Sequence, residues 1–228
     1  MSQLIAILSS TKQEIAPLLQ AKRVKTVSED ELYVYATDEG DKVHIIISGA
    51  AALPMTYRYT RYLSSFAKPD YVIQVGIAGA FDESLSPGEL VEVSEEFIAG
   101  FGAEERDGAV LDMFDLGLWH KGVFPFTAEG SIINPKAPFN AGLMTVRGLT
   151  INIGSGRAES IYGLKVKYPD AQVETMEGGH FFYVSALMKV PFVQIRAISN
   201  YVEPRARDKW EIDKAISALN DYLLNHLP

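Results

Sequence analysis

Short apolar runs alternate with helix-like patterns along most of the chain, and this alternation constrains the fold more than any other feature. It is typical of a mainly parallel or mixed sheet whose crossover helices cover its faces. The predicted strands are Leu4–Leu8, Tyr33–Thr37, Val43–Ser48, Tyr71–Val75, Leu90–Val93, Thr145–Ile153, Gln172–Thr175 and Phe192–Ser199. The predicted helices begin near Thr11, Pro54, Arg157, Gly178 and Asp208. A small-residue loop over 76–81 and long loops over 99–142 complete the predicted α/β fold.

The composition excludes several classes of protein. The 228 residues carry a formal net charge of -8 at pH 7, which disfavours nucleic acid or anionic lipid as the main ligand. The chain has no cysteine, and its four histidines show no metal-ligand spacing, so we expect no metal site. No segment approaches the roughly 18 apolar residues of a membrane span. We therefore expect a cytoplasmic protein with one domain over residues 1–228.

Polar or small residues follow four of the predicted strands. They are Glu14 after the first strand, the 76–81 loop, the junction from Glu174 to Gly179, and the segment from Arg196 to Asn200. In sheets of this kind, active sites lie at the carboxyl ends of the strands. Two carboxylates, an arginine and an amide at one edge suit hydrolysis of a glycosidic bond, in which a carboxylate orients water and other groups stabilise a cationic sugar.

Several segments carry a family resemblance that runs almost from end to end: LIAILSSTKQEIAPLL, ISGAAALPMTY, KPDYVIQVGIAGAF, TMEGG and PFVQIRAISNYVEPRARDKW. With them the chain resembles the nucleoside phosphorylase and nucleosidase superfamily, in particular the methylthioadenosine/adenosylhomocysteine nucleosidases. Within that group it is most similar to the futalosine hydrolases of menaquinone biosynthesis. The resemblance implies a three-layer αβα sandwich around a twisted mixed sheet. It also implies a homodimer or dimer-based homo-oligomer without metal or organic cofactor.

The resemblance also implies catalytic roles for particular residues. Glu14 matches the carboxylate that activates water, and Arg196 matches the arginine near that water. Glu177 matches the carboxylate that holds the ribose hydroxyls, and Met176 matches the residue that packs against the sugar. Asn200 takes the place of an aspartate in the adenine-releasing enzymes.

Further residues are implied at the edges of the substrate site. Backbone at Ala78 and Gly79 is expected to approach the ribose, and the turn around Ser160 is expected to flank the base. Ile77 replaces a serine of the methylthioadenosine enzymes, and the glycine loop offers no basic residue for phosphate. Water is therefore the expected acceptor of the ribosyl group.

Asn200 indicates which purine leaves. Its amide N–H can donate to the 6-keto oxygen of hypoxanthine while its amide oxygen accepts from a protonated N7. The resulting hypothesis is hydrolysis of the N-ribosidic bond of the purine nucleoside futalosine, releasing hypoxanthine and dehypoxanthinyl futalosine.

Other interpretations remain open at the level of sequence. A methylthioadenosine/adenosylhomocysteine nucleosidase, a purine nucleoside phosphorylase and a nucleoside-binding module without catalysis are the alternatives. Taken singly, Glu14 fits a capping box, Glu177 fits a first-turn helix acid and Asn200 fits a turn former. The unusual Gly179-His180 pair leaves the start of its helix open, because glycine costs about 1 kcal/mol relative to alanine inside a helix.

Overall fold

The computed structural model describes residues 2–22, 24–28, 32–66, 68–106 and 108–227. The strands are β1 Leu4–Ser9, β2 Lys25–Ser28, β3 Leu32–Ala36, β4 Lys42–Ile47, β5 Tyr71–Ala80, β6 Leu90–Ile98, β7 Gly102–Glu104, β8 Val110–Asp112, β9 Ile132–Ile133, β10 Met144–Thr150, β11 Val173–Thr175 and β12 Phe192–Tyr201. The helices are α1 Ala16–Ala21, α2 Ala52–Ser65, α3 Ala158–Lys167, α4 Gly178–Met188 and α5 Ile212–His226.

A mixed sheet forms the centre of the molecule. Its strand order is β11-β10-β6-β12-β5-β1-β4-β3-β2, and β11 also pairs with β5. The strands β12, β5, β1 and β4 run parallel to one another, whereas β6 runs antiparallel to β12. Because the parallel strands end at one edge, the residues that follow β1, β4, β5 and β12 meet there.

Helices cover both faces of the sheet. On one face, Leu18 of α1 and Leu223 of α5 pack with sheet residues such as Ile195 in one hydrophobic core. On the other face, Tyr59 of α2 and Phe181 of α4 belong to a second core. All five side chains are almost completely buried. This arrangement confirms the predicted three-layer αβα sandwich with a mixed central sheet.

The predicted loop at 76–81 is wrong, because residues 76–80 continue β5. Their backbone pairs with β12 on one side, and on the other side Gly79 and Ala80 pair with β11. These strand partners satisfy N–H and C=O groups that small residues leave accessible. The predicted substrate-site residues of this segment therefore stand on a strand, which positions them more rigidly than a loop does.

Two predicted helix starts are also wrong. Residues 12–15 form turns, and α1 begins at Ala16, where Pro17 in the first turn has no N–H to leave unpaired. The helix predicted from Asp208 is a short 3-10 turn over Arg207–Lys209, and α5 begins only at Ile212.

The segment 99–142 is mostly irregular, as predicted, with the hairpin β7–β8 and the short strand β9. Within the described residues, every helix is too short or too polar to cross a lipid bilayer.

Candidate active site

A cavity of about 220 Å³ lies at the edge of the sheet where β5 and β12 end. Seven of the predicted site residues line it: Glu14, Ile77, Ala78, Gly79, Met176, Glu177 and Asn200. Arg196 lies behind this lining, with its Nη2 atom 4.0 Å from Oε2 of Glu177. The fold thus brings together residues that are far apart in the sequence.

Glu14 stands in the turn between β1 and α1, where donors fix both of its carboxylate oxygens. Oε2 accepts from the backbone N–H of Thr11 at 2.9 Å and from its hydroxyl at 2.8 Å, and Oε1 accepts from the N–H of Ile77 at 3.2 Å. Burial raises the pKa of Glu14, although Arg196 and the hydrogen bonds from Thr11 and Ile77 oppose this rise. One carboxylate therefore makes the capping-type bonds of the Thr11-x-x-Glu14 spacing and also faces the cavity.

Gly76 allows Glu14 and Arg196 to approach the same point of β5. A Cβ atom at this position would lie 2.5 Å from Nη1 of Arg196 and 2.8 Å from Oε1 of Glu14. Both distances are shorter than van der Waals contact, so any side chain here would displace the two charged groups. Glycine inside a strand marks such close approaches.

Glu177 stands at the N-terminal boundary of α4, but its side chain does not cap that helix. Its Oε1 atom instead accepts a hydrogen bond of 2.7 Å from the backbone N–H of Ala51. Ala51 has a φ of 69°, a conformation that alanine rarely adopts and that the surrounding structure must hold in place. This contact joins the loop before α2 to the start of α4 and fixes the carboxylate at the cavity wall.

A buried polar network that the sequence analysis missed supports Arg196. Its Nε atom donates to Oε1 of Gln194 at 3.0 Å, and Nε2 of Gln194 donates to Oε1 of Glu96 at 3.1 Å. Thr150 donates to Oε2 of Glu96 at 2.9 Å. Glu96 is 0% exposed, and burial raises its pKa from 4.5 to about 7, against the opposing effects of Gln194, Thr150 and Arg196. The network holds the guanidinium in one orientation.

One nitrogen of the Arg196 guanidinium, Nη2, makes no hydrogen bond to a described residue. This nitrogen is buried. It lies on the side of Glu177. A buried donor without a partner is costly, so a polar ligand atom in this position would be favoured.

The start of α4 depends on two glycines. A Cβ at Gly178 would lie 1.8 Å from Oε1 of Glu96, and a Cβ at Gly179 would lie 2.5 Å from Cγ1 of Ile98. The helix therefore begins at Gly178 despite the low helix propensity of glycine, because only glycine lets it pack this closely on β6. The sequence left the start of this helix open, and the structure places it at Gly178.

Asn200 lines the cavity near the end of β12, and its amide is oriented by neighbours. Oδ1 accepts from the hydroxyl of Ser199 at 2.7 Å, and Nδ2 donates to the carbonyl of Tyr201 at 2.9 Å. Each amide atom keeps one further site, an N–H on Nδ2 and a lone pair on Oδ1. Ser199 is buried and was not singled out in the sequence.

Comparisons with known proteins agree with this arrangement. The sequence model of the family described as the Phosphorylase superfamily matches residues 4–125, which is more than half of the chain. The chain belongs to this superfamily. The predicted membership is confirmed, and the relatives below support the suspected likeness to futalosine hydrolases.

Two curated members of the phosphorylase superfamily illustrate the relationship. A futalosine hydrolase from Streptomyces coelicolor is 33% identical over 159 residues, which cover 67% of this chain and 63% of that relative. A 5'-methylthioadenosine/S-adenosylhomocysteine nucleosidase from Maridesulfovibrio salexigens is 25% identical over 205 residues, covering 87% of this chain and 86% of the relative. The match to the first relative thus spans less than two thirds of its length.

Solved structures of the superfamily share the fold. A methylthioadenosine/S-adenosylhomocysteine nucleosidase from Colwellia psychrerythraea in complex with adenine superposes with a TM-score of 0.78. The match covers 99% of this chain and 94% of that structure, at 20% identity. This similarity establishes a common architecture.

Ser160 does not join the other predicted site residues of this superfamily member. It is exposed in α3 and lies outside the cavity lining. Because α3 begins at Ala158, the turn that reaches the cavity ends earlier, and its lining residues are Gly154 and Ser155. The turn therefore borders the cavity through Gly154 and Ser155, and not through Ser160 as predicted.

His180 follows the second glycine of α4 and packs edge-on against Phe101, with ring centroids 5.9 Å apart. Burial lowers its pKa to about 4, so the imidazole is neutral at pH 7. Its ring nitrogens make no hydrogen bond with any described residue. This environment indicates that His180 packs against its neighbours and does not act as a catalyst.

Among the described residues, no group of three or more histidine and acidic side chains is arranged to hold a metal ion.

Proposed function

We propose that this member of the phosphorylase superfamily is a purine nucleosidase that hydrolyses the N-ribosidic bond of futalosine, releasing hypoxanthine and dehypoxanthinyl futalosine. One observation carries the proposal. Glu14 and Glu177, both less than 10% exposed, line the same cavity, and the guanidinium of Arg196 reaches towards both carboxylates. Two carboxylates with separate tasks are what the hydrolysis of a sugar–base bond requires.

Glu14 is the proposed general base. Hydrogen bonds from Thr11 and Ile77 hold its carboxylate in place, and burial raises its pKa, which brings it closer to the value at which a base works best near neutral pH. A water molecule beside this carboxylate can attack C1' of the ribose and pass its proton to Glu14.

Glu177 is proposed to secure the ribose. Its Oε1 atom is held by the N–H of Ala51, which leaves Oε2 to accept from a sugar hydroxyl. A fixed negative charge next to the sugar also stabilises the oxocarbenium-like transition state electrostatically. Met176, in the same lining, offers an apolar surface to the sugar, and Ala78 and Gly79 offer a wall with little side chain.

Water is favoured over phosphate as the acceptor. Arg205 is the only lysine or arginine that lines the cavity in the described part of the chain. The inner wall presents the carboxylates of Glu14 and Glu177, and their only nearby described cation, Arg196, is already shared between them, so the wall repels a phosphate ion. The N–H of Ile77, which could bind an anion, already donates to Glu14.

Asn200 supports hypoxanthine as the leaving base. Its free N–H can donate to a 6-keto oxygen, and its free lone pair can accept from N7–H. A 6-amino group in the same place would bring two donors together and leave polar atoms unpaired, which hydrogen-bonding sites reject strongly. As part of this proposal, the enzyme acts in the cytoplasm as a dimer-based homo-oligomer without a cofactor.

A base-release assay tests the proposal. Futalosine, inosine and methylthioadenosine are each mixed with the protein in phosphate-free buffer, and the free base is measured. We expect the highest kcat/KM for futalosine and release of hypoxanthine. Preference for methylthioadenosine would instead assign an adenine-releasing nucleosidase, and strict dependence on added phosphate would assign a phosphorylase. Substrate binding without any base release would leave only a nucleoside-binding module.

A further inference from the structure

The proposed reaction lacks a proton donor for the departing base. A purine leaves a sugar readily only when one of its ring nitrogens is protonated, because the unprotonated base departs as an anion. The amide of Asn200 can hydrogen bond to the base, but it has no acidic proton to give. Glu14 is assigned to the water molecule and Glu177 to the sugar.

A third carboxyl lies at the same end of the cavity. Glu174 lines the cavity from β11, which pairs antiparallel with β5 and places Glu174 beside Gly79. On the other side of β5, the register of β12 places Asn200 beside the same glycine. Paired residues of neighbouring strands point to the same face of a sheet. Glu174 and Asn200 therefore flank one position that carries no side chain.

Gly79 keeps the space between these two side chains open. A Cβ atom there would lie 3.2 Å from Nδ2 of Asn200 and 3.0 Å from Cγ2 of Val202. Neighbouring strands are about 4.8 Å apart, so the backbones of Glu174 and Asn200 are separated by roughly 10 Å across β5. A planar heterocycle lying over Gly79 would have the amide on one side and the carboxyl on the other.

Ser155 holds the carboxyl of Glu174 in this position. Its backbone N–H donates to Oε1 at 3.3 Å, and its hydroxyl makes a short hydrogen bond to Oε2. Burial raises the pKa of Glu174, although the two bonds from Ser155 oppose the rise. A carboxyl whose protonated form is favoured by burial can serve as an acid near neutral pH.

We propose that Glu174 is the general acid that protonates the leaving purine, from the side of Gly79 opposite to Asn200; this inference rests on the proposed nucleosidase function. The C1'–N9 bond breaks, its electron pair moves to the purine, and N3, the ring nitrogen on the side away from Asn200, takes the proton of Glu174. Water adds its oxygen to C1' and gives a proton to Glu14. The free base and the sugar then leave, and proton exchange with solvent restores both carboxyl groups.

The substitution Glu174→Gln separates this role from a purely structural one. An amide can accept from the N–H of Ser155 and donate to its hydroxyl, so the turn at 154–156 keeps its support, but the acid is lost. We expect kcat/KM for futalosine and inosine to fall by 10²- to 10³-fold, within the range of general acid catalysis. Two ribosides whose leaving groups need no proton, 4-nitrophenyl riboside and 7-methylinosine, are expected to be hydrolysed within threefold of the wild-type rate.

Matched controls make each outcome decisive. Glu159→Gln changes an exposed glutamate of α3 outside the cavity and is expected to leave all four rates unchanged. If Glu174→Gln lowered kcat/KM equally for all four substrates, or lowered it for none, Glu174 would not be the general acid. The proposed nucleosidase function would be unaffected by that result. A wild-type protein that releases no base from futalosine or inosine would overturn the proposed function, and this inference with it.

Discussion

The two ends of β5 and β12 carry two different cavities. At the carboxyl ends lies the small cavity of about 220 Å³ with buried carboxylates in its wall. At the amino ends, near Tyr71 and Phe192, lies a larger one of about 1140 Å³. Its lining is mainly aromatic and aliphatic, and its charged residues, Asp70, Lys136 and Lys189, are all exposed. The same two strands therefore support two cavities of opposite character.

The difference teaches that buried charge, rather than volume, distinguishes the end of the sheet where we propose the reaction. Keeping a carboxylate or a guanidinium away from water is costly unless partners or a function compensate for it. The carboxyl end holds such groups, with Glu14, Glu96 and Glu177 near Arg196. Among the described residues that line the amino-end cavity, by contrast, every acidic or basic side chain is exposed.

The largest expected effect comes from Glu14→Gln. The amide keeps the shape of the side chain but cannot take a proton from water, so turnover should fall at least 10³-fold while substrate still binds. Phe139→Ala at the amino-end cavity is the matched comparison. Because Phe139 is only half-buried, the change should lower stability by about 1–2 kcal/mol, less than the loss of a fully buried phenylalanine, and should leave kcat/KM within twofold. Steady-state kinetics and a binding isotherm measure both variants, and near-normal turnover of Glu14→Gln would remove Glu14 from the mechanism.

The next largest effect is expected for Gly178→Ala. The new methyl group would collide with Glu96, and overpacking should cost about 3 kcal/mol of unfolding free energy and displace Glu177 at the helix start. Gly163→Ala in α3 provides the control, because a Cβ there meets nothing within 4 Å. That change should stabilise the protein by about 1 kcal/mol through helix propensity. Urea denaturation compares the two, and a Gly178→Ala variant as stable as wild type would contradict the close packing.

A smaller effect is expected for Asn200→Asp, which changes the selectivity of the carboxyl-end cavity. A carboxyl can protonate N7 of the base and accept from a 6-amino group, whereas it offers no donor to a 6-keto oxygen when ionised. The ratio of kcat/KM for adenosine to that for inosine should therefore rise by about 10- to 100-fold, the value of one to two hydrogen bonds. An unchanged ratio would show that the amide does not select the base.

Sequence reasoning located the carboxyl-end cavity because strand ends can be recognised locally. Glu14 and Asn200 each follow a short apolar run, and parallel strands bring such positions to one edge. The same reasoning failed at Ser160, because the exact start of α3 decides which residues of a turn face inwards. Pattern alone rarely fixes a helix start to one residue.

The buried network around Glu96 could not be predicted from the sequence for a different reason. Glu96 follows another glutamate, so the apolar pattern of β6 ends at Val93 in the sequence, although the strand continues to Ile98. Its partners Thr150 and Gln194 are 54 and 98 residues away, and only the strand order places them together. The spacing of Gln194 and Arg196 on one face of a strand was the available signal. Two polar side chains in an apolar run of this kind need partners.

The last expected effect concerns the pH dependence of stability at the carboxyl end. Because the pKa of Glu96 rises from 4.5 to about 7 on folding, its contribution to stability is fully present below about pH 4.5 and is lost as the pH rises through 7. Glu96→Gln removes this titration, since its amide can accept from Gln194 and donate to Thr150. The wild type should lose about 3 kcal/mol relative to the variant between pH 4.5 and pH 8, since each pH unit between the two pKa values of 4.5 and about 7 corresponds to about 1.4 kcal/mol.

Urea denaturation at several pH values measures that difference. The other carboxyl groups with raised pKa values, including Glu14 and Glu174, titrate in both proteins and cancel in the comparison. A difference that stays constant with pH would mean that Glu96 is already ionised in the folded protein at low pH. The carboxyl end of the sheet would then hold an ionised Glu96 near Arg196, and it would differ even more from the amino end, where the charged residues Asp70, Lys136 and Lys189 are all exposed.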